Sequence, residues 1–291
     1  MERLPLPDAL VAQARSYAEG GGTPAEPRDA ATVVLLRPGS SGPEVYLLRR
    51  QTSMAFAGGM CVFPGGGVDP RDFDSELTGD GLVDRGLWAG PSPADWAARL
   101  GCDEPKALAL VCAAVRETFE ESGVLLAGTD ASTVVADTTG DDWEADRVAL
   151  ESRELSLTAF LEKRSLVLRT DLLGAWSGWL TPIFEPRRYR TWFFVARLPE
   201  GQVTRDVSSE SSSVTWTGAL EAVEQVERRE ILMLPPTWLT CLEVGQHADP
   251  DAVLAASRER TVDMFMPEVV ADGEQFILST PPVYAALMAA R

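Results

Sequence analysis

Apolar residues along the chain fall into short β-like runs and longer segments of helical spacing. Ala31–Arg37 and Glu44–Arg50 are rich in Val, Leu and Tyr and predict two strands. Pro38-Gly39-Ser40-Ser41-Gly42-Pro43 joins them as a hairpin or a loop between strands. A short strand at Met60–Phe63 lies between Gly58-Gly59 and Pro64-Gly65-Gly66-Gly67. Leu166–Leu168, Ala175–Leu180 and Arg190–Leu198 predict three more strands, and Val214-Thr215-Trp216 begins another. Helical segments are expected at Asp8–Glu19, between residue 143 and about Lys163, and at Gly218–Arg229, Pro235–His247 and Asp251–Arg258. The strongest is Ala107–Ser122, with Asp103 and Pro105 near its start and Gly123 just past its end. Alternating helices and strands predict an α/β layered domain with helical ends. Residues 69–105 are acidic and rich in Gly and Pro, with one helical fragment at Ala94–Leu100. They read as an inserted loop, and deleting most of 75–100 is expected to alter substrate choice more than folding.

Charge narrows the function classes. The 291 residues carry 44 Asp and Glu against 26 Lys and Arg, a formal charge of −18. Such a field repels phosphate backbones and anionic lipid, so neither nucleic acid nor membrane is expected as a partner. An anionic ligand needs local basic groups or a metal ion. The single histidine, His247, argues against multi-His metal sites and Ser-His-Asp chemistry, and its polar surroundings read as a surface loop. Cys61, Cys102, Cys112 and Cys241 show no C-x-x-C spacing and read as reduced, buried residues of a cytoplasmic protein. No apolar run reaches the ~18 residues of a membrane helix. The first ten residues lack the order of a signal peptide, and the last three are no peroxisomal tripeptide.

The 107–122 helix holds the candidate chemistry. Glu117, Glu120 and Glu121 lie within an arc of about 100°, and like charges at that spacing repel. One reading is a solvated acidic face, opposite an apolar stripe of Leu108, Val111, Cys112, Val115 and Phe119. Ala109, Leu110 and Ala113 share the acidic arc, however, so its first half suits cover by other structure, leaving the glutamates at the edge of a cavity. Clustered carboxylates in such a place suit a hard divalent cation, Mg²⁺ or Mn²⁺.

Arg116-Glu117-x-x-Glu120-Glu121-x-Gly123 resembles the second half of the Nudix box, G-x5-E-x7-R-E-U-x-E-E-x-G-U. Val124 fits the last U, and Thr118 replaces the first. Pro64-Gly65-Gly66 resembles the first half, with Asp72 where the family has Glu. Between Asp72 and Arg116 stand 43 residues instead of 7, an insertion of 36. Glu210 precedes Trp216 as in the E-x5-W that often follows a late Nudix loop. A split box is similar to a branch that includes peroxisomal coenzyme A diphosphatases. Phe63-Pro64-Gly65-Gly66, Thr181-Pro182, the run from Arg187 to Phe194, Leu234-Pro235-Pro236-Thr237, Met266-Pro267 and Asp272-Gly273 strengthen that likeness. Leu47-Leu48 and Gly59-x3-Phe63-Pro64-Gly65-Gly66 resemble the ends of a coenzyme A signature whose internal arginine is Ala55 here.

The resemblance implies a Nudix-type α/β/α sandwich with a mixed sheet. Residues 1–29 form an N-terminal helix and flexible lead-in. Residues 30–291 form one domain with an insertion at about 73–106 and extra C-terminal helices from about 234. It implies metal-dependent hydrolysis of a nucleoside diphosphate linked to another moiety, coenzyme A or acyl-coenzyme A being the first expectation. ADP-ribose, or a dinucleotide such as NADH, is the alternative, and a non-catalytic Nudix-fold binding or regulatory protein the second. Glu117, Glu120 and Glu121 become the metal ligands, and Glu120, Glu121 and Glu210 the catalytic carboxylates, with Glu210 as base or extra ligand or one more exposed loop acid. Asp72, Arg116 and Gly123 become structural residues of the box. Gly65 and Gly66, with Arg49, Arg50 and Arg188, are the candidate contacts to a small diphosphate substrate. Trp176, Trp179, Trp192 and Trp216 read as core before they read as base-stacking rings. A homodimer is left open.

Overall fold

A computed structural model describes residues 8–53, 57–73, 81–272 and 275–289. The N-terminal half contains α1 (Asp8–Gly20), β1 (Arg28–Gly39), β2 (Gly42–Arg50), β3 (Cys61–Val62), β4 (Gly65–Gly67), α2 (Gly81–Asp84), β5 (Trp88–Ala89), α3 (Pro93–Leu100), α4 (Glu104–Ser122) and β6 (Ala127–Gly128). Next come α5 (Asp141–Glu151), α6 (Leu157–Arg164), β7 (Val167–Arg169), β8 (Leu173–Leu180), β9 (Tyr189–Arg197), β10 (Ser211–Gly218), α7 (Ala219–Glu227), α8 (Pro235–Val244) and α9 (Pro250–Ser257). The last elements are β11 (Met264–Phe265), β12 (Val269–Asp272), β13 (Gln275–Leu278) and α10 (Pro282–Ala289).

β1 explains the layering. Val33, Val34, Leu35 and Leu36 are all fully buried, as in a strand covered on both faces. Successive side chains point to opposite sides. Val33 and Leu35 pack into a cluster with α4, while Val34 and Leu36 pack into a second with α7, α8 and α9. The central sheet runs β10-β2-β1-β9-β8-β11, with β3 against β2 and β4 against β1. It is mixed: β1 and β9 run parallel, as do β8 and β11, and the other pairs are antiparallel. The expected α/β/α sandwich with a mixed sheet and C-terminal helices is therefore present. Trp176, Trp179 and Trp192 are core residues, as their strand-like surroundings predict.

The insertion departs from its reading as a loop. Among its described residues it holds α2, β5 and α3, and Leu82, Trp96 and Leu100 are buried in the main core. Ser92 and Asp95 close a capping box at the start of α3. Trp96 lies against Phe194 with ring centroids 5.9 Å apart, and Trp192 Nε1 donates to the Leu100 carbonyl at 2.9 Å. Removing residues to 100 would leave these positions as cavities, so the expectation that folding tolerates the deletion does not stand. The acidic, glycine-rich composition hid one short amphipathic helix whose apolar face has only two large residues.

The strand expected at Leu166–Leu168 is present as β7, but the sequence pattern gave no sign of its partners β5 and β6, the β12-β13 hairpin or α10. β5 and β6, with two residues each, are too short to carry a period.

Candidate active site

α4 brings the carboxylates to the sheet. The Asp103 side chain accepts from Lys106 N at its start, and Gly123 ends it in the left-handed region at φ 73°. Every residue from Ala107 to Val115 is buried, including Ala109, Leu110 and Ala113 on the acidic arc. The solvated-face reading thus fails: the helix is covered all round, and Glu120 is buried with it. Thr118, at an aliphatic position of the box, is fully buried, and its hydroxyl donates to the Ala114 carbonyl at 2.7 Å.

Arg116 gathers the acids around it. Its Nε and Nη2 donate to the two Asp72 oxygens at 3.2 and 2.9 Å, and Nη2 also reaches the Gly67 carbonyl at 3.3 Å. Nη1 donates to Glu117 at 2.8 Å and to Glu120 at 3.1 and 3.3 Å. Asp72 therefore joins the two halves of the split box across 44 positions of sequence.

β4 supplies the opposite wall. The Gly65 amide donates to Glu121 Oε2 at 2.7 Å. A Cβ on Gly66 would stand 2.5 Å from the Glu117 carboxylate, and one on Gly65 would stand 2.4 Å from the Ala31 carbonyl. Only glycine lets the strand approach the helix and β1 this closely.

Glu210 arrives from the far end of the sheet, in the loop before β10. Arg50 Nη2 donates to it at 2.9 Å, and its charge acts on Glu117 and Glu121. Five carboxylates, Asp72, Glu117, Glu120, Glu121 and Glu210, thus meet two guanidiniums, Arg116 and Arg50. The imbalance appears in the acidities. Burial holds Glu117 above the ordinary carboxylate range, against the pull of Arg116. Burial, with repulsion from Glu117, pushes Glu120 up to about 7 against the pull of Arg116. Burial and then Glu117 hold Glu121 well above that range, with Glu210 adding to it.

Among the described residues, no three His, Cys, Asp or Glu side chains form a group ready to hold a metal as they stand. Glu117 and Glu120 are turned to Arg116, and Glu121 to the Gly65 amide. The donor set nevertheless fits a hard divalent cation: all-oxygen, largely buried apart from Glu210, and five carboxylates against two guanidiniums.

The candidate substrate cations separate. Arg50 is at the site, and its Nε is buried with no hydrogen-bond partner among the described residues. Arg49 is exposed and makes one long bond, 3.4 Å, to the Gly59 carbonyl. Arg188 is not brought to the cluster. It is buried, donating to the carbonyls of Thr181 and Ala25 at 3.0 Å each and to Met266 Sδ at 3.5 Å. An arginine run in the sequence does not distinguish a fork open to phosphate from one closed on main chain. Arg190 likewise pairs with Asp29 at 2.8 Å. Ala55 and Gly273 lie outside the described residues. Sequence reasoning missed Arg147, which donates to the Glu120 carbonyl at 2.7 Å from α5. Its Glu144-Arg147-Glu151 spacing is visible in the sequence, but nothing along the chain ties it to α4.

A family model of the NUDT19 Nudix domain matches residues 27–243. The acyl-coenzyme A diphosphatase NUDT19 of Xenopus laevis is 28% identical over 221 residues, covering 68% of this chain and 58% of that protein. The protein of the same name from Gallus gallus is 26% identical over 296 aligned residues, 87% of this chain and 78% of that protein. The chain thus spans about three-fifths of the length of the first curated relatives it matches, 58% and 62%. Among solved structures, a Nudix hydrolase from Alicyclobacillus acidocaldarius superposes with a TM-score of 0.66 at 24% identity, over 82% of this chain and 99% of that one. That likeness is one of fold. Among the described residues, no helix is long and apolar enough to cross a membrane.

Proposed function

The chain belongs to the NUDT19 Nudix domain family, and on that premise we propose that it is a divalent-metal-dependent diphosphatase acting on acyl-coenzyme A or coenzyme A. The observation that carries this reading is the meeting of Glu117, Glu120 and Glu121 with the Gly65–Gly67 strand, beside Glu210 and Arg50. The substrate class comes from the NUDT19 relatives, whose name is acyl-coenzyme A diphosphatase. Glu117, Glu120 and Glu121 would hold Mg²⁺ or Mn²⁺, which neutralises diphosphate oxygens and acidifies water. Asp72 and Arg116 hold the glycine strand against the helix. Arg50, with its unpartnered Nε, is placed to donate to a diphosphate oxygen. Glu210 is the candidate to take the proton from water, being the most exposed of the five carboxylates at 52% of its side chain. Four cysteines without a disulfide partner support the cytoplasm as its compartment.

The test is a substrate panel with Mg²⁺ or Mn²⁺ against a chelator control. Acyl-coenzyme A or coenzyme A should be split into two phosphate monoesters, one carrying adenosine and the other the pantetheine part. Faster cleavage of ADP-ribose or NADH would replace the substrate class. No metal-dependent turnover of any member would leave a binding or regulatory protein.

A further inference from the structure

α5 touches both halves of this site. It is fixed to α4 through rings: Phe119 meets Trp143 with centroids 6.5 Å apart, and stacks on Phe160 of α6 at 5.5 Å. From that base Arg147, with only 4% of its side chain exposed, sends Nη1 to the Glu120 carbonyl at 2.7 Å and to Glu151 Oε2 at 2.9 Å. The Glu120 carbonyl is one of the last four of its helix, which have no partner within it. A buried cation there also meets the negative end of the helix dipole. Glu151 passes the link on. Its other oxygen accepts from Ser209 Oγ at 2.6 Å, and Ser209 immediately precedes Glu210. A parallel link runs from Arg147 through Glu144 to Arg205 at 2.6 Å, and Arg205 N donates to the Ser122 carbonyl at 2.9 Å.

The 205–211 loop is thereby held from two sides. Gln51, which directly follows β2, holds the other side: its Nε2 donates to the Ser209 carbonyl at 2.8 Å and its N to the Glu210 carbonyl at 3.0 Å. The Glu210 side chain itself is half exposed and, among the described residues, has one hydrogen-bond partner, Arg50, so its place depends on this main chain.

We propose that Arg147, Glu151 and Ser209 form a positioning relay that fixes Glu210 relative to the carboxylates of α4. Arg147 and Glu151 touch no reacting atom; they set the distance between the loop that carries Glu210 and the end of the helix. The relay rests on the proposed roles of Glu210 and the α4 glutamates.

Removing Arg147 would strand the buried Glu120 carbonyl and two half-buried carboxylates, Glu144 and Glu151, and threaten folding, so Ser209 is the residue to change. Ser209→Ala should lower kcat by about tenfold or more, with KM and melting temperature unchanged, and Ser209→Thr, which keeps the hydroxyl, should retain kcat. In a Glu210→Gln background Ser209→Ala should cost nothing further. In the metal-free protein, hydrogen exchange should speed up across 205–211 in Ser209→Ala and in Glu151→Ala while 107–122 stays protected. An equal loss of kcat in both backgrounds, or unchanged exchange at 205–211, overturns the relay. Glu210→Gln with parental kcat would instead overturn the role of Glu210, and faster exchange at 205–211 would then show that the failure lies in that assignment and not in the mechanical link.

Discussion

Two buried ionic groups lie on opposite faces of the central sheet, and their charge balance differs. Behind the sheet, Glu243 of α8 is 5% exposed and accepts from Arg260 at 2.6 Å and from the Tyr284 hydroxyl of α10 at 3.0 Å. Arg260 also lies 3.6 Å from the Trp176 ring centroid and donates to the Trp176 carbonyl. One carboxylate meets one guanidinium, and the pair fastens the C-terminal helix to the body. In front of the sheet, Arg116 and Arg50 serve five carboxylates. A balanced pair completes itself; an unbalanced group in a covered place is relieved by protons, as the raised acidities of Glu120 and Glu121 show, or by a cation that the chain does not supply. The same residue types thus make a clamp on one face and, on the proposed reading, a receptor for charge on the other.

Substitutions should separate the two. The largest effect is expected in front. Glu120→Gln or Glu121→Gln should reduce metal-dependent turnover by more than about a hundredfold, while circular dichroism and the metal-free melting temperature show an intact fold, because each change removes a repelled charge. Retained turnover would end the ligand assignment. Next, Mg²⁺ or Mn²⁺ at a hundred times its dissociation constant should stabilise the protein by about 2.7 kcal/mol, read as a rise in melting temperature that Glu121→Gln loses. No rise at any millimolar concentration would return the cluster to a structural role. Behind the sheet, Glu243→Ala should cost roughly 2 kcal/mol by leaving Arg260 unpaired, with turnover at 25 °C little changed. A change that stopped turnover without destabilising would break the contrast.

A further effect is that of pH on the metal-free protein. Glu120 rises from an ordinary 4.5 to about 7 in the fold, so between those values the native state keeps a proton that the unfolded chain has released. The contribution of Glu120 to stability is then fully present below about 4.5 and is lost as pH climbs toward 7. Denaturation midpoints measured with a chelator should track that slope, and added Mg²⁺ should flatten it. A metal-free midpoint that rises over this range would mean that the glutamates are better paired than the geometry places them.

Much of this contrast was legible in the sequence on one side only. Glu117, Glu120 and Glu121 were visible as a local repulsive spacing, and Ala109, Leu110 and Ala113 on the same arc already spoke against a solvated face. Gly65 and Gly66 were visible as part of a glycine-rich stretch, but their closeness to Glu121, Glu117 and β1 was not. The Glu243 clamp gave no signal, since Arg260 and Tyr284 stand 17 and 41 positions from Glu243. Arg188 misled, because a cation near a substrate and a cation closed on carbonyls are written alike.

By itself the chain determined the features that depend on neighbours in sequence: the strand runs of β1 and β2, the ends of α4 through Asp103 and Gly123, and the three glutamates on one arc. Spacing along a helix or strand dictates which face a residue occupies, and that requires no distant partner. Only the tertiary structure decided what each face meets. It placed Asp72 against Arg116 across the insertion, folded Trp96 of that insertion into the core, carried Glu210 to the carboxylates and sent Arg188 away from them. Those outcomes depend on contacts between residues 44 to 163 positions apart, which form when apolar layers close and which local pattern does not encode.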